Sequence, residues 1–288
     1  MTLFTSTSNT AHSANPFFTD YETLFQIPPF EEIKMEHYKP GFEQGMKEHL
    51  DEINDITANT AAATFENTFV ALERTGKTLD KVSDVFFNLL SSNTNDQMDS
   101  LAQEMSPKLS AHSDSILLNK DLFHRVKSVY EKRKSLSLNL EQTRLIEETH
   151  KYFVRAGVQL DENSMERLTE INQKLSSLSV QFDQNLLKET NEGFILVIDD
   201  KDQLHGLPKD VVDQASALAE SEDHSGKWLF KPTRPSMYPF LTYSTERDLR
   251  EKLYNSYIKR GDNDNERDNK NIARSEERRV GKECRSRW

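Results

Sequence analysis

Cysteine is nearly missing from this 288-residue chain: the single one is Cys284, close to the C-terminus. Without it there is no disulfide, no cysteine-ligated zinc and no thiol nucleophile to consider. Glycine and proline are scarce, at nine each. That favours helices, because both residues interrupt them. No run of eighteen apolar residues occurs, so nothing in the sequence is expected to span a membrane. Positive charge is also short. The formal net charge is −11, and residues 274–288 hold six basic and three acidic residues, which leaves −14 for the first 273. An acidic surface of that size argues against nucleic acid as a partner, since neutralising phosphates requires clustered Lys and Arg.

Motifs that carry chemistry are missing as well. There is no GxGxxG, no phosphate loop and no GxSxG elbow. The eight histidines are His12, His37, His49, His112, His124, His150, His205 and His224. No two are three, four or five residues apart and none is followed by Glu, so the helical His-Glu-x-x-His arrangement of a hydrolytic zinc site is not present. Each histidine reads as a surface or boundary residue. Acidic pairs such as Glu31-Glu32 and Asp199-Asp200 read as solvated faces. No catalytic, cofactor-binding or metal-binding residue is assigned.

The two ends stand apart. Residues 1–16 have neither a basic nor an apolar segment and read as a disordered polar leader, not a signal peptide. Residues 274–288, RSEERRVGKECRSRW, have no helical or strand period. They match the in-frame translation of a sequencing adapter (AGA TCG GAA GAG CGT encodes Arg-Ser-Glu-Glu-Arg), so the expectation is that they are foreign and that a longer chain is cut near Ala273.

Between the ends the pattern is helical. Prolines 28, 29 and 40 suggest an extended opening segment from Phe17 to Pro40. A helix is then expected from about Gly41, with Phe42, Met46, His49 or Leu50, and Ile53 on one face. Thr64 opens a piece carrying Phe65, Phe69 and Leu72, which Gly76 can end. Leu79, Val82, Phe86 and Leu89 or Leu90 continue at helical spacing. Further helices are expected over 96–118, 120–136 and 141–156, the last closed by Gly157. The clearest element starts at the N-cap Asp161 and runs to about Thr190, with apolar residues from Met165 to Leu186 recurring at three or four. Its length, roughly 45 Å, suits a structural spine.

The period changes after Gly193. Two short apolar runs near 194–198 and 228–232 predict a small paired sheet. Pro208 starts a helix to about Glu222, and Ser244 caps a last one carrying Leu249, Leu253 and Tyr257 or Ile258, ended by Gly261. Between them, Trp228 to Tyr243 concentrates aromatics and prolines, and reads either as core or as a channel-lining segment. Arg247 and Arg250 read as helix-surface partners of Glu246 and Glu251, with contact to peptide carboxylates as the alternative. Asp262 to Asn271 is polar, with no apolar period.

Several stretches carry a family resemblance. Asn15-Pro16, Ile27-Pro28-Pro29-Phe30, Ile33 and Glu36-His37-Tyr38, followed by Phe65–Glu73, resemble the opening of the thimet-oligopeptidase-like family of zinc metallopeptidases. Leu109–Asn119, Phe153–Gly157, Ile171–Leu178, Gln181–Leu186, Arg234–Phe240 and Arg247–Tyr254 narrow the resemblance to its bacterial peptidyl-dipeptidase branch. Each stretch alone is weak, but their order and spacing from about residue 15 to 273 make the match specific. The resemblance implies a mainly α fold in which residues 17–273 form the helical N-terminal lobe of a two-lobed, channel-type enzyme. It implies one Zn²⁺ held by an HExxH helix and a downstream Glu. It further implies release of C-terminal dipeptides from short peptides by zinc-activated water. This chain departs from the family in containing no HExxH, so no ligand or catalytic residue transfers to it. The expectations are therefore a cytoplasmic peptidase region (periplasmic if the start lies elsewhere), inactive and zinc-free by itself, whose partners are short peptides and the C-terminal lobe of the same enzyme. The alternative is a non-catalytic helical interaction module.

Overall fold

A computed structural model describes residues 15–272. The leader up to residue 14, and the basic tail with Ala273 and Cys284, lie outside the described residues. The fold is mainly α with one two-stranded sheet. It divides into two compact units, one up to Ser177 and one from Leu178.

The first unit contains helices α1 (Met35–Ala58), α2 (Lys77–Ser92), α3 (Asp96–Leu117), α4 (Lys120–Lys132) and α5 (Leu140–Ala156), and the start of α6 (Glu162–Lys188). Asparagines set three of these six helix starts. The Asn95 Oδ1 accepts from the backbone N–H groups of Gln97 and Met98, and the Asn119 Oδ1 from that of Leu122. Asn139 and Gln142 cap each other reciprocally. Each bond satisfies amides that a helix N-terminus leaves unpaired. Asp161 does the same for α6 through the Ser164 amide.

The start of α1 corrects the sequence reading. The helix begins at Met35, not near Gly41, and Pro40 lies inside it. His37 explains the early start: its Nδ1 accepts the Lys34 backbone N–H at 3.1 Å, closing the first turn in the manner of a capping box. Its burial also overturns its reading as a boundary residue. α1 packs on α2 through Gly45, where an added Cβ would lie 2.8 Å from the Leu79 backbone, so only glycine permits this approach. Around that contact Phe17, Tyr38, Phe42 and Phe86 are buried, with Phe42 and Phe86 edge-to-face at 5.3 Å. The lower half of α1 contributes Ile53 and Ile56 to a second cluster with Phe69, Leu122, Val126, Ile146 and Phe153.

A π-helical turn, Phe65–Val70, carries Phe69 into this cluster and is capped by Thr64 and Asn67. Arg125 of α4 is buried against it. Its guanidinium donates to the Asn59 carbonyl at 2.7 Å and the Asn67 side chain at 2.9 Å, tying the 59–67 loop down by hydrogen bonds alone.

The second unit holds β1 (Leu196–Ile198) and β2 (Trp228–Phe230), antiparallel with Val197 opposite Leu229, together with α7 (Lys209–Ser221), α8 (Arg234–Tyr243) and α9 (Arg247–Ile258). Leu196, Ile198, Phe230, Met237, Phe240 and Leu253 form its core. Two helix starts differ from expectation by one or two residues: Pro208 is the N-cap of α7, and Glu246, not Ser244, that of α9. The aromatic run from Trp228 to Tyr243 resolves into β2 and α8. Its proline content hid the helix, yet Pro235 falls in the first turn, where a missing N–H costs nothing. Phe230 and Phe240 are core, 4.5 Å apart, while Tyr238 and Tyr243 are exposed.

Candidate functional site

The most developed polar arrangement in the first unit joins residues far apart in sequence. His49 on α1 and His112 on α3 face each other with His49 Nδ1 3.1 Å from His112 Nε2. The other nitrogen of His49, Nε2, lies 3.2 Å from the hydroxyl of Thr75. That hydroxyl spends its proton on the Leu72 carbonyl at 2.7 Å. It can therefore only accept from His49, which puts the His49 proton on Nε2 and leaves Nδ1 as an acceptor. His112 must then donate from its own Nε2. The relay ends at His112 Nδ1, a bare lone pair, buried and without a hydrogen-bond partner among the described residues.

Burial sets the charge of this pair. It lowers His112 to about 4, helped by repulsion from His49, and lowers His49 against the opposing pull of Glu52 and Asp80. Both rings are neutral at pH 7. The turn that carries Thr75 is held by Gly76, whose N–H donates to the Glu52 carboxylate at 2.7 Å. Gly76 has φ +79°, and an added Cβ would lie 3.0 Å from the His49 ring. A side chain there would meet both backbone strain and the imidazole.

The pair borders a cavity of about 430 Å³, whose other walls include Leu72, Leu79, Leu109, Ile116, Tyr152 and Phe153. Such a volume is in the range of small-molecule sites, and its lining mixes these side chains with the polar Glu73, Thr75, Ser113 and Thr149. His112, 8% exposed, contradicts its reading as a surface or boundary residue. No local signal could have found the pair, since 63 residues separate its members.

A zinc site needs more donors than this pair offers. Two imidazoles facing one another supply half of a tetrahedral shell. Among the described residues no group of three or more His, Cys, Asp or Glu gathers to hold a metal ion. The donors present here do not fit a zinc site.

The second unit has a cavity of about 440 Å³ bordered by Glu189, Phe194, Lys252, Asn255, Lys259 and Asn263. Glu189 follows α6 in a π-helical turn, Glu189–Gly193, and is 6% exposed. Its carboxylate accepts from the side-chain amides of Asn263 at 2.9 Å and Asn265 at 3.3 Å. The polar stretch without an apolar period is thus ordered by side-chain hydrogen bonds. Asn269 is buried between the Phe182 carbonyl and the Asn185 amide, and Lys270 gathers Asp262 and Asp264. Arg250 does not pair with Glu246 or Glu251 as expected: its guanidinium donates to the Ser244 carbonyl at 2.9 Å. Arg247 is exposed. Neither arginine borders either of these cavities.

No family model matches the chain. Individual proteins do. The dipeptidyl carboxypeptidase of Escherichia coli (strain K12) is 35% identical over 240 residues, covering 83% of this chain and 35% of that protein. The dipeptidyl carboxypeptidase of Salmonella typhimurium is 36% identical over 242 residues, with 84% and 35% covered. Oligopeptidase A of Haemophilus influenzae is 29% identical over 234 residues, with 81% and 34% covered. The chain spans about a third of the length of the curated relatives it matches.

Proposed function

We propose, for a chain that belongs to the thimet-oligopeptidase family of peptidases, that it is the helical N-terminal region of a zinc metallopeptidase that releases dipeptides from the C-terminus of short peptides. The observation that carries this reading is the identity to two dipeptidyl carboxypeptidases, 35–36% over more than four-fifths of the chain, against 29% for an oligopeptidase A. Zinc would activate a water for attack on the peptide carbonyl, and its ligands would belong to the part of the relatives that this chain does not match. The part played by the residues present is to fold the helices that form one side of a peptide-sized channel. A cytoplasmic location belongs to the same proposal. By itself, the 288-residue chain is expected neither to hydrolyse peptides nor to hold stoichiometric zinc.

A chimera tests this directly. Residues 15–272 would replace the matched region of the E. coli dipeptidyl carboxypeptidase, and the products from a blocked pentapeptide would be identified by mass. Chelator-sensitive release of C-terminal dipeptides is expected. A folded, zinc-loaded chimera that leaves the peptide intact would overturn the proposal and favour a non-catalytic helical module. Cleavage at internal bonds alone would replace the peptidyl-dipeptidase assignment with an oligopeptidase one.

A further inference from the structure

We propose, resting on that functional reading, that segment 24–30 is a docking surface of the first unit. Its occupant is the part of the proposed peptidase that this chain does not match. Four of the seven residues in the segment are large and apolar. Leu24 is 77% and Phe25 86% exposed, and Ile27 and Phe30 are about half exposed. A contiguous apolar run held in water marks an interaction surface.

The segment is held in place at both ends. Before it, Phe17 is buried against α1 and α2. Lys81 of α2 donates to the Thr19 carbonyl and pairs with Asp20, both at 3.1 Å. After it, the His37 cap fixes the entry into α1. Within it, the Thr23 hydroxyl donates to the Ile27 carbonyl, and Phe25 and Gln26 take φ values of +59° and +55°. Two successive left-handed residues other than glycine are costly. Here that backbone presents Phe25 to solvent, and among the described residues nothing covers it.

Charge and size select the occupant. Glu22, Glu31 and Glu32 flank the apolar residues, exposed and without an ion pair among the described residues. A second copy of the chain would set two such rims against each other, and like charges in contact are unfavourable. Four side chains exposed to these extents also fall short of the roughly 800 Å² per partner that a stable association of separate molecules takes. Within one polypeptide the partner is tethered, and a smaller contact suffices. The chain covers 35% of each dipeptidyl carboxypeptidase, so most of such an enzyme lies beyond the matched region. An apolar patch with a basic rim on that larger part would complement this one.

Hydroxyl-radical footprinting, read at the phenylalanines by mass spectrometry, tests this. It compares the 288-residue chain with the chimera of residues 15–272 and the E. coli dipeptidyl carboxypeptidase. In the chain alone Phe25 and Phe30 should oxidise freely, and the buried Phe17 and Phe42 hardly at all. In the chimera Phe25 and Phe30 should fall to the level of Phe42. Phe25→Asn keeps a residue that accepts left-handed backbone. It should leave the unfolding midpoint of the 288-residue chain unchanged and restore oxidation of Phe30 in the chimera. Free oxidation of Phe25 in a chimera that releases dipeptides would overturn the proposal and leave the functional reading standing. Protection in a folded, zinc-loaded but inactive chimera would support the docking surface and sink that reading alone. Protection already present in the 288-residue chain and rising with its concentration would overturn the proposal in favour of a second copy. So would Phe30 staying protected in the folded Phe25→Asn chimera overturn it.

Discussion

Two polar sites, one in each unit, are enclosed by opposite means. In the first, buried His112 and half-buried His49 give up charge: their surroundings hold both rings neutral, and a one-way chain of hydrogen bonds fixes their protons. In the second, Glu189 is buried without any cation in hydrogen-bonding contact among the described residues. It is held by the amides of Asn263 and Asn265, which lie more than seventy residues further along the chain. The first solution depends on packing and on pH, the second on a handful of directional bonds. The comparison teaches that a buried polar group survives either by neutralisation or by enclosure in donors, and that the two fail under different perturbations.

The largest expected effect separates packing from polar bonding. Phe86→Ala removes a ring that touches Tyr38, Phe42 and Phe87 and should destabilise the first unit by about 3–5 kcal/mol. Hydrogen exchange should show the loss in α1 and α2, with the amides of α7 and α9 unchanged. Equal loss in both units would break the comparison.

Next comes pH. His112 is lowered in the folded state, so the unfolded chain binds the proton more readily. The stability from keeping it neutral is complete above the unfolded value near 6.5, and is lost as pH falls through about 4. The total is about 3 kcal/mol, read as the change in urea midpoint of the first unit between pH 7 and pH 4. His112→Phe should flatten that dependence. A slope unchanged in the variant would assign it to carboxylates instead.

A smaller effect sharpens the second half of the comparison. Asn263→Ala removes one of the donors to the Glu189 carboxylate and should cost about 1–3 kcal/mol, with faster exchange confined to the π-helical turn and the segment after Gly261. The smallest is a control. Lys47 and Asp51 form an exposed pair at 2.6 Å, and Asp51→Asn should change stability by less than about 0.5 kcal/mol.

Most of the fold was legible because it is written in local periodicity. The helices from Lys77 to Lys188 have apolar residues at three and four, with asparagine or aspartate caps on all but α2, and these were found to within a few residues. α8 was missed because Pro235 and Pro239 read as breakers, although the first turn tolerates proline. The start of α1 was missed because the capping group is an imidazole at His37, outside the usual capping residues. The two cavities were illegible for a different reason. His49 and His112, and Glu189 and Asn263, are brought together by helix packing across 63 and 74 residues, and no spacing rule reaches that far.

The neutral, directed histidine pair inside the first unit is open to one direct measurement. Long-range ¹H–¹⁵N correlation of the imidazole rings, followed from pH 8 to pH 3.5, reads it directly. Both rings should show Nε2–H tautomers at pH 7, and His112 should take up a proton only near pH 4. A His112 that titrates near 6.5, or that carries its proton on Nδ1, would contradict the relay and the site built upon it.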